Sequence, residues 1–319
     1  MSEREPEAIL WDLLRGAMTT KALALVADLH VAEALAGGPR PVDELARDVE
    51  ADADALRRLL RALASDGVFA EIEPGVFGTT ETSELLLQPS TQAFAHLFGD
   101  VFFRAIGDLH RAVCTGAPTF PEAFGEEFWD WLGARPEERA SFDRAMAGGK
   151  KWKAERLSKV DWHAGETVVD IGGGNGALLR EVLGPRPEIH GIVFDLPETD
   201  CDESALGDNI EFVAGSFFER VPAGDTYVLS AILHDWGDEH AREILRTIRV
   251  AARPDARLFV AETVIAPGND PNGSKWLDLL MLVLAGGRER SEPEWRALLE
   301  GCGFELVAIE DGLIQARCP

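Results

Sequence analysis

Between Trp11 and Leu35 apolar side chains recur every three or four positions, at Leu14, Met18, Leu25 and Leu29, and Gly37-Gly38-Pro39 follows. That spacing predicts one amphipathic helix closed by a glycine C-cap. A short helix is expected in PVDELARDV, capped by Asp43, and a third in DADALRRLLRALASDG, where Leu56, Leu59, Leu60 and Leu63 share a face before Gly67. VFAEIEPGVFGTT then supplies two β-patterned runs around Glu73-Pro74-Gly75, a hairpin signal. Helix, short helix, helix, hairpin is the order of a winged-helix unit, assigned to residues 1–95. Residues 92–160 read as mostly helical and crowded with aromatics from Phe94 to Trp152, most of them core and some able to line a pocket for a flat ligand.

From Glu166 the pattern changes to short apolar runs at 167–171, 189–194, 210–214, 226–232 and 257–263, with helical stretches such as 239–252 between them. Strands apolar on both faces and separated by helices predict a doubly wound α/β sheet. Two further runs, 304–309 and 313–316, form a closing hairpin around Glu310-Asp311-Gly312.

The length of 319 residues fits two domains, since one domain takes roughly 150. A net charge of −25 repels phosphate backbones and anionic membranes. The winged-helix region shares that sign, with four arginines against seven acids over residues 41–66, so it has no face for DNA. The longest uncharged apolar stretch, 279–285, is far short of the ~20 residues that span a bilayer. MSEREPEAIL lacks a basic start followed by an apolar run, and Cys114, Cys201, Cys302 and Cys318 stand in no regular framework. Free thiols and a cytoplasmic location are expected. His234, Asp235, Asp238, Glu239 and His240 crowd together without metal-ligand spacing, so they are read as an acid-rich helix start and no metal is expected.

VVDIGGGNGALL is the sharpest local signal: a strand runs into Gly172, Gly173, Gly174 and Gly176 and then into a helix. Such a turn brings backbone close to a ligand at a helix N-terminus. Gly172-x-Gly174-x-x-Ala177 also satisfies the dinucleotide fingerprint, so the motif leaves NAD and other nucleosides open. In GIVFDLP, Asp195 stands at a strand's carboxyl end, where two carboxylate oxygens can accept both hydroxyls of a ribose.

Taken with the N-terminal unit, DIGGGNG, FDLP, GSFF, LSAILHDW, LFVAETVI, WLDLLML and GGRERSEPEW, the chain resembles the small-molecule O-methyltransferases that use S-adenosylmethionine. These act on plant phenolics, acetylserotonin and bacterial aromatic polyketides. The resemblance covers nearly the whole chain, with the motifs in the family's order. It implies a helical linker plus a Rossmann-like catalytic domain over residues 96–319, a dimerisation role for residues 1–95, a homodimer, and an aromatic small-molecule acceptor. Gly172 and Gly174 would then cradle the methionine part of the cofactor, and Asp195 with Leu196 its ribose. Ser216 and Phe217 would border the adenine, with Trp236 near it and Ser230 at the methionine end. Ser216 and Ser230 stand where many relatives carry Asp and Lys, so a hydroxyl replaces a charge at both. Phe142, Met146, Trp276 and Met281 are the expected substrate contacts.

His234 matches the family's general base, and Glu262 and Glu289 its flanking carboxylates. The residues themselves agree. His234 is expected where the strand beginning at Thr226 ends, on the sheet edge at which doubly wound folds bind ligands. A neutral imidazole of pKa near 6.5 accepts protons at pH 7, and a phenol near 10 leaves a gap of about 3.5 units, or ~4.8 kcal/mol. A nearby sulfonium would lower that step by stabilising the developing phenolate. A carboxylate on one ring nitrogen would fix the tautomer. Asp235, next along an extended end, is expected to point away from the ring. Two alternatives stay open: an NAD-dependent oxidoreductase on the same fold, and a ligand-responsive winged-helix regulator.

Overall fold

His30 takes a left-handed backbone (φ 53°) and splits the N-terminal apolar run. In the computed structural model, which describes residues 5–147 and 150–319, that run is three helices, Pro6–Leu14, Gly16–Asp28 and Val31–Ala34, rather than one. A helix cannot run through left-handed His30, and periodicity does not register a single such residue; the earlier break, at Arg15, keeps a right-handed backbone. The short helix is Val42–Asp48, with Pro41 at its N-cap; Asp43 lies inside the first turn, where it complements the helix dipole instead of capping. Asp52 caps the next helix, Ala53–Ser65, by accepting from Ala55 N at 2.9 Å. Strand β1 (Arg40–Pro41) adds to the hairpin of β2 (Phe69–Glu73) and β3 (Val76–Thr79), in the order β1-β3-β2.

Leu56, Leu60 and Leu63 are buried against Val26, Val31, Leu45, Phe69 and Phe77, with Leu59 at the margin. The arginines of Ala53–Ser65 are drawn to acids, Arg57 to Asp43 at 3.4 Å and Arg61 to Glu71 at 3.5 Å. Helix Pro6–Leu14 buries none of its residues: Ile9, Leu10, Trp11, Leu13 and Leu14 are 45–69% exposed in the single chain.

The chain divides into two units: one runs to Asp108 and resumes from Glu122 to Gly148, and the other comprises Leu109–Pro121 and Gly149–Pro319. The second unit is built on a seven-stranded sheet. Its members are β4 (Thr167–Ile171), β5 (His190–Asp195), β6 (Ile210–Ala214), β7 (Thr226–Ser230) and β8 (Arg257–Ala261), joined after a small parallel pair, β9 (Val264–Ile265) with β10 (Arg290–Ser291), by β11 (Glu305–Glu310) and β12 (Leu313–Arg317). The order is β11-β12-β8-β7-β4-β5-β6, parallel except for β12, which runs antiparallel to both neighbours. Asp311 (φ 49°) and Gly312 (φ 82°) turn the closing hairpin, the two positive φ values that a type I′ turn requires.

Apolar clusters cover both faces of this sheet, one led by Tyr227, Ile244, Leu258 and Trp295, the other by Leu179, Leu183, Val193 and Phe259. That two-sided burial explains the near-continuous apolar runs in the sequence. Strand β4 lies between β5 and β7, so the winding reverses there. The carboxyl ends of β4 and β7 thus flank the topological switch point, where folds of this kind bind ligands.

Candidate active site

The chain leaves β4 through Gly172 (φ 69°), Gly174 (φ 59°) and Gly176 (φ 71°) and enters helix Ala177–Leu183. Positive φ at alternate positions is affordable here only for glycine. A Cβ on Gly172 would collide with Ile232, and one on Gly173 would sit 2.9 Å from Asp170 Oδ2. A Cβ on Gly174 would meet nothing within 4 Å, so that side of the turn faces open space where a ligand can lie. The amides of Gly172 and Gly173 donate to Phe194 O (2.8 and 3.3 Å), and that of Gly174 to Asp195 Oδ2 at 2.7 Å. The first two N–H groups are directed into the sheet and the third is taken by the Asp195 carboxylate, an arrangement ill suited to cradling a pyrophosphate.

Asp195, the last residue of β5, ties the turn to its own loop. Its other oxygen accepts from Leu196 N (2.7 Å) and Thr199 Oγ1 (2.9 Å), so Oδ2 keeps a lone pair for a ribose hydroxyl. Phe217 comes within 3.9 Å of the Cβ position at Gly172, and its ring stands edge-on to Trp236 (centroids 6.1 Å, 82°). Phe218 and His240 extend the same aromatic wall. Ser216 is half-buried and its hydroxyl accepts from Phe218 N at 3.3 Å; Ser230 is half-buried at the end of β7. Gly172, Gly174, Asp195, Phe217 and Trp236 therefore gather around one mouth, and an open glycine cradle with an aromatic wall and a carboxylate fits an adenosyl amino acid.

Strand β7 stops at Ser230, two residues before the expected end, because Ala231 is left-handed (φ 57°). His234 then lies in a 3₁₀ turn, Leu233–Asp235, not on a strand end. A non-glycine residue held at positive φ beside a candidate base is the kind of local strain that accompanies function. Glu262, which follows β8, is 2% exposed; its Oε1 accepts from Ile232 N (3.1 Å) and Leu233 N (2.7 Å). From the far side Arg288 N donates to His234 O at 2.8 Å, and Gly287 packs so tightly on the His234 and Asp235 backbone that a Cβ there would overlap it.

The imidazole is 22% exposed, and its Nδ1 lies 3.0 Å from Oε1 of Glu289, which is 2% exposed. Asp235 Oδ1 is 3.5 Å from Nε2. The expectation that Asp235 points away is thus wrong, because a 3₁₀ turn does not place successive side chains on opposite sides as a strand does. Burial alone would lower the imidazole's pKa, but the charge of Asp235, the Glu289 hydrogen bond and the charge of Glu262 outweigh it and raise the pKa to about 9. The expected value near 6.5 is corrected accordingly. Burial pushes Asp235 up to about 6, against the pull of His234.

The two glutamates thus have different work: Glu289 holds the ring and Glu262 holds the backbone that carries it. Sequence reasoning missed Asp235, the Glu262 backbone contacts, and Arg290, whose buried guanidinium reaches the same turn. Trp276, 70% exposed, and Met281 share helix Ser274–Ala285, which lies against the His234 turn. Phe142 belongs to the other unit, stacked edge-on with Phe128 and Trp129, and Met146 is on the same helix, Pro136–Ala147. Among the described residues no cluster of His, Cys, Asp and Glu has the arrangement to hold a metal ion.

An open glycine turn and a carboxylate at the switch point of a mixed Rossmann-like sheet, with an acid-ringed histidine beside them, suit an enzyme that works with a nucleoside cofactor. The O-methyltransferase domain family matches residues 106–305, and the O-methyltransferase dimerisation domain matches residues 11–89. A phenazine O-methyltransferase of Lysobacter antibioticus is 39% identical over 313 residues, 95% of this chain and 92% of that protein. A 3-amino-4-hydroxybenzoate 4-O-methyltransferase of Streptomyces cremeus is 36% identical over 312 residues, 94% of this chain and 86% of that one. An O-methyltransferase of neocarzinostatin biosynthesis, solved with S-adenosylmethionine and 2-hydroxy-5-methyl naphthoic acid, superposes with a TM-score of 0.82 at 33% identity, covering 94% of this chain and 96% of that one. The chain belongs to the S-adenosylmethionine-dependent O-methyltransferase family.

Proposed function

We propose that this enzyme methylates a hydroxyl of a flat aromatic molecule and that His234 is its general base. One observation carries the reading: the imidazole, paired through Nδ1 with buried Glu289, sits at the switch point beside the glycine turn. Two of the relatives are named for phenazine and 3-amino-4-hydroxybenzoate, and the third is solved with a hydroxynaphthoic acid, all of them flat aromatics. S-adenosylmethionine, when bound, supplies an electrophilic methyl group on a sulfonium centre. Gly172 and Gly174 would hold its methionine part, Asp195 and Leu196 the ribose, and Ser216, Phe217 and Trp236 the adenine, with Ser230 at the methionine end.

Glu289 accepts from Nδ1–H, so that a neutral ring presents its lone pair at Nε2 to the acceptor hydroxyl. A base of pKa about 9 stands roughly one unit below a phenol near 10, so proton transfer to it costs ~1.4 kcal/mol instead of ~4.8. The compensation is population: about 1% of such a ring is neutral at pH 7. The sum of the two costs therefore changes little, from about 3.6 units at a pKa of 6.5 to about 3 at a pKa of 9, and the visible consequence is a rate that climbs with pH up to about 9. Trp276 and Met281, on the helix that lies against the His234 turn, are proposed to contact the acceptor. Residues 1–95 are proposed as a dimerisation unit, because the exposed face of helix Pro6–Leu14 needs a cover.

Methyl transfer from labelled S-adenosylmethionine to a panel of phenols, hydroxyquinones and hydroxylated heterocycles tests the reaction. Absence of transfer to every member would remove the aromatic-hydroxyl reading. Light scattering that shows a monomer at micromolar concentration would remove the dimer.

A further inference from the structure

Arg290 is 1% exposed, and a cation buried that deeply is strongly destabilising unless every donor is met. Its donors are met almost entirely by the histidine turn. Nη1 donates to Leu233 O (2.9 Å) and weakly to Arg288 O (3.4 Å); Nη2 donates to Trp236 O (2.9 Å) and Asp238 Oδ1 (3.0 Å); Nε donates to Asp238 Oδ1 (3.1 Å). The guanidinium carbon stands 5.3 Å from the Trp295 ring centroid, so the indole backs the cation. One side chain therefore grips the residue before His234, the residue two after it, and the first residue of helix Asp238–Ala251.

Glu262 holds the same turn by its N–H groups, at Ile232 and Leu233, while Arg290 holds it by its carbonyls. The two grips are also joined to one another, because β10 pairs Arg290 with Val264, two residues beyond Glu262. Glu289, the immediate neighbour of Arg290, carries the carboxylate on the imidazole. We propose that Arg290 is a positioning residue for methyl transfer, fixing the 233–236 backbone so that the His234 ring stays seated on Glu289 and aimed at the acceptor. The proposal rests on His234 being the general base. Lysine cannot replace it in kind, since reaching two carbonyls and a carboxylate needs a planar fork of donors and not a point charge.

The test is a double-mutant cycle on the full-length enzyme with a single phenolic acceptor and S-adenosylmethionine. Arg290→Lys and Arg290→Met are each made in the wild-type and His234→Ala backgrounds. In the wild type, kcat is expected to fall about 10- to 100-fold, while the acceptor KM and the S-adenosylhomocysteine Kd stay within about twofold. In the His234→Ala background the same change should cost less than about twofold, because nothing remains to be positioned. An equal loss in both backgrounds, or an unchanged kcat in the wild type, overturns the proposal. If both Arg290 variants fail to fold, Asp238→Asn, which weakens the acceptor of Nε and Nη2 at a more exposed position, goes through the same cycle, and the same two outcomes overturn the proposal. Full turnover in His234→Ala alone overturns the base reading and the proposal with it. A large loss there with additive Arg290 effects overturns only the proposal.

Discussion

The two strand ends that flank the switch point are built in opposite ways. After β4 the working surface is backbone: glycines at positive φ, amides turned inward, and one open side at Gly174. After β7 it is side chains: an imidazole in a 3₁₀ turn, with carboxylates from three segments around it. A backbone surface is damaged by adding atoms and a side-chain constellation by removing them. On the proposed reading the first is a shape that positions a ligand, and the second is a set of charges that moves a proton.

His234→Ala should have the largest effect, cutting turnover by about 10²–10⁴ with an acceptor that is un-ionised at pH 7, while the Kd of S-adenosylhomocysteine stays at its wild-type value. Near-full turnover in that assay would mean that the β7 end does no proton chemistry. The deficit should shrink only above about pH 9, where the wild-type rate levels off while a phenol of pKa about 10 goes on ionising by itself. Asp195→Ala tests the other end. Loss of a charged acceptor is worth about 1.5–3 kcal/mol, so calorimetry should show S-adenosylhomocysteine binding about 10- to 150-fold weaker with little change in saturated turnover. An unchanged Kd would mean the nucleoside lies elsewhere.

Gly172→Ala should destabilise the fold by about 1–2 kcal/mol through its left-handed backbone alone, with the Ile232 overlap added, as read from denaturant midpoints. Gly174→Ala carries the same backbone penalty without the overlap, so it should be the milder of the two. If both are silent, the turn is not a rigid frame. Glu289→Gln gives the subtlest readout. The wild-type ring is raised to about 9, so the neutral base fraction, and with it turnover, rises with pH and levels off above that value. Removing the Glu289 charge lowers the ring's pKa, and the rising limb should move toward the ordinary 6.5. A limb that stays in place would assign it to the acceptor instead of the histidine.

These two ends also differ in how much of them is legible in the sequence. Gly172, Gly174 and Asp195 are contiguous with a strand and a turn whose residue types have few other uses, so periodicity and glycine spacing locate them. The acid–base group is assembled by packing from 231–235, 262 and 289–290, and no local pattern encodes which glutamate meets the ring. Resemblance supplied the residues, but their division of labour depended on where β7 stops. That depends on Ala231 at φ 57°, an ordinary alanine in the sequence. Treating 230–235 as extended put Asp235 on the wrong side and hid its role in raising the histidine. Arg290 had one visible trace: it immediately precedes Ser291-x-x-Glu294, a capping box that starts helix Glu292–Glu300 and fixes where the arginine's backbone must sit. The same blindness to single left-handed residues merged helices Gly16–Asp28 and Val31–Ala34, since His30 looks like any other polar position.

Helix Pro6–Leu14 contributes no buried residue to its own chain, and the proposed dimer would link the protein's stability to mass action. If a second copy covers that face, association holds the folded state and unfolding must first release it. The midpoint of a thermal melt should then rise with protein concentration, where an isolated domain would show one value at every dilution. Turnover measured at nanomolar enzyme and stability measured at a hundredfold higher concentration would accordingly describe two different populations of the same molecule.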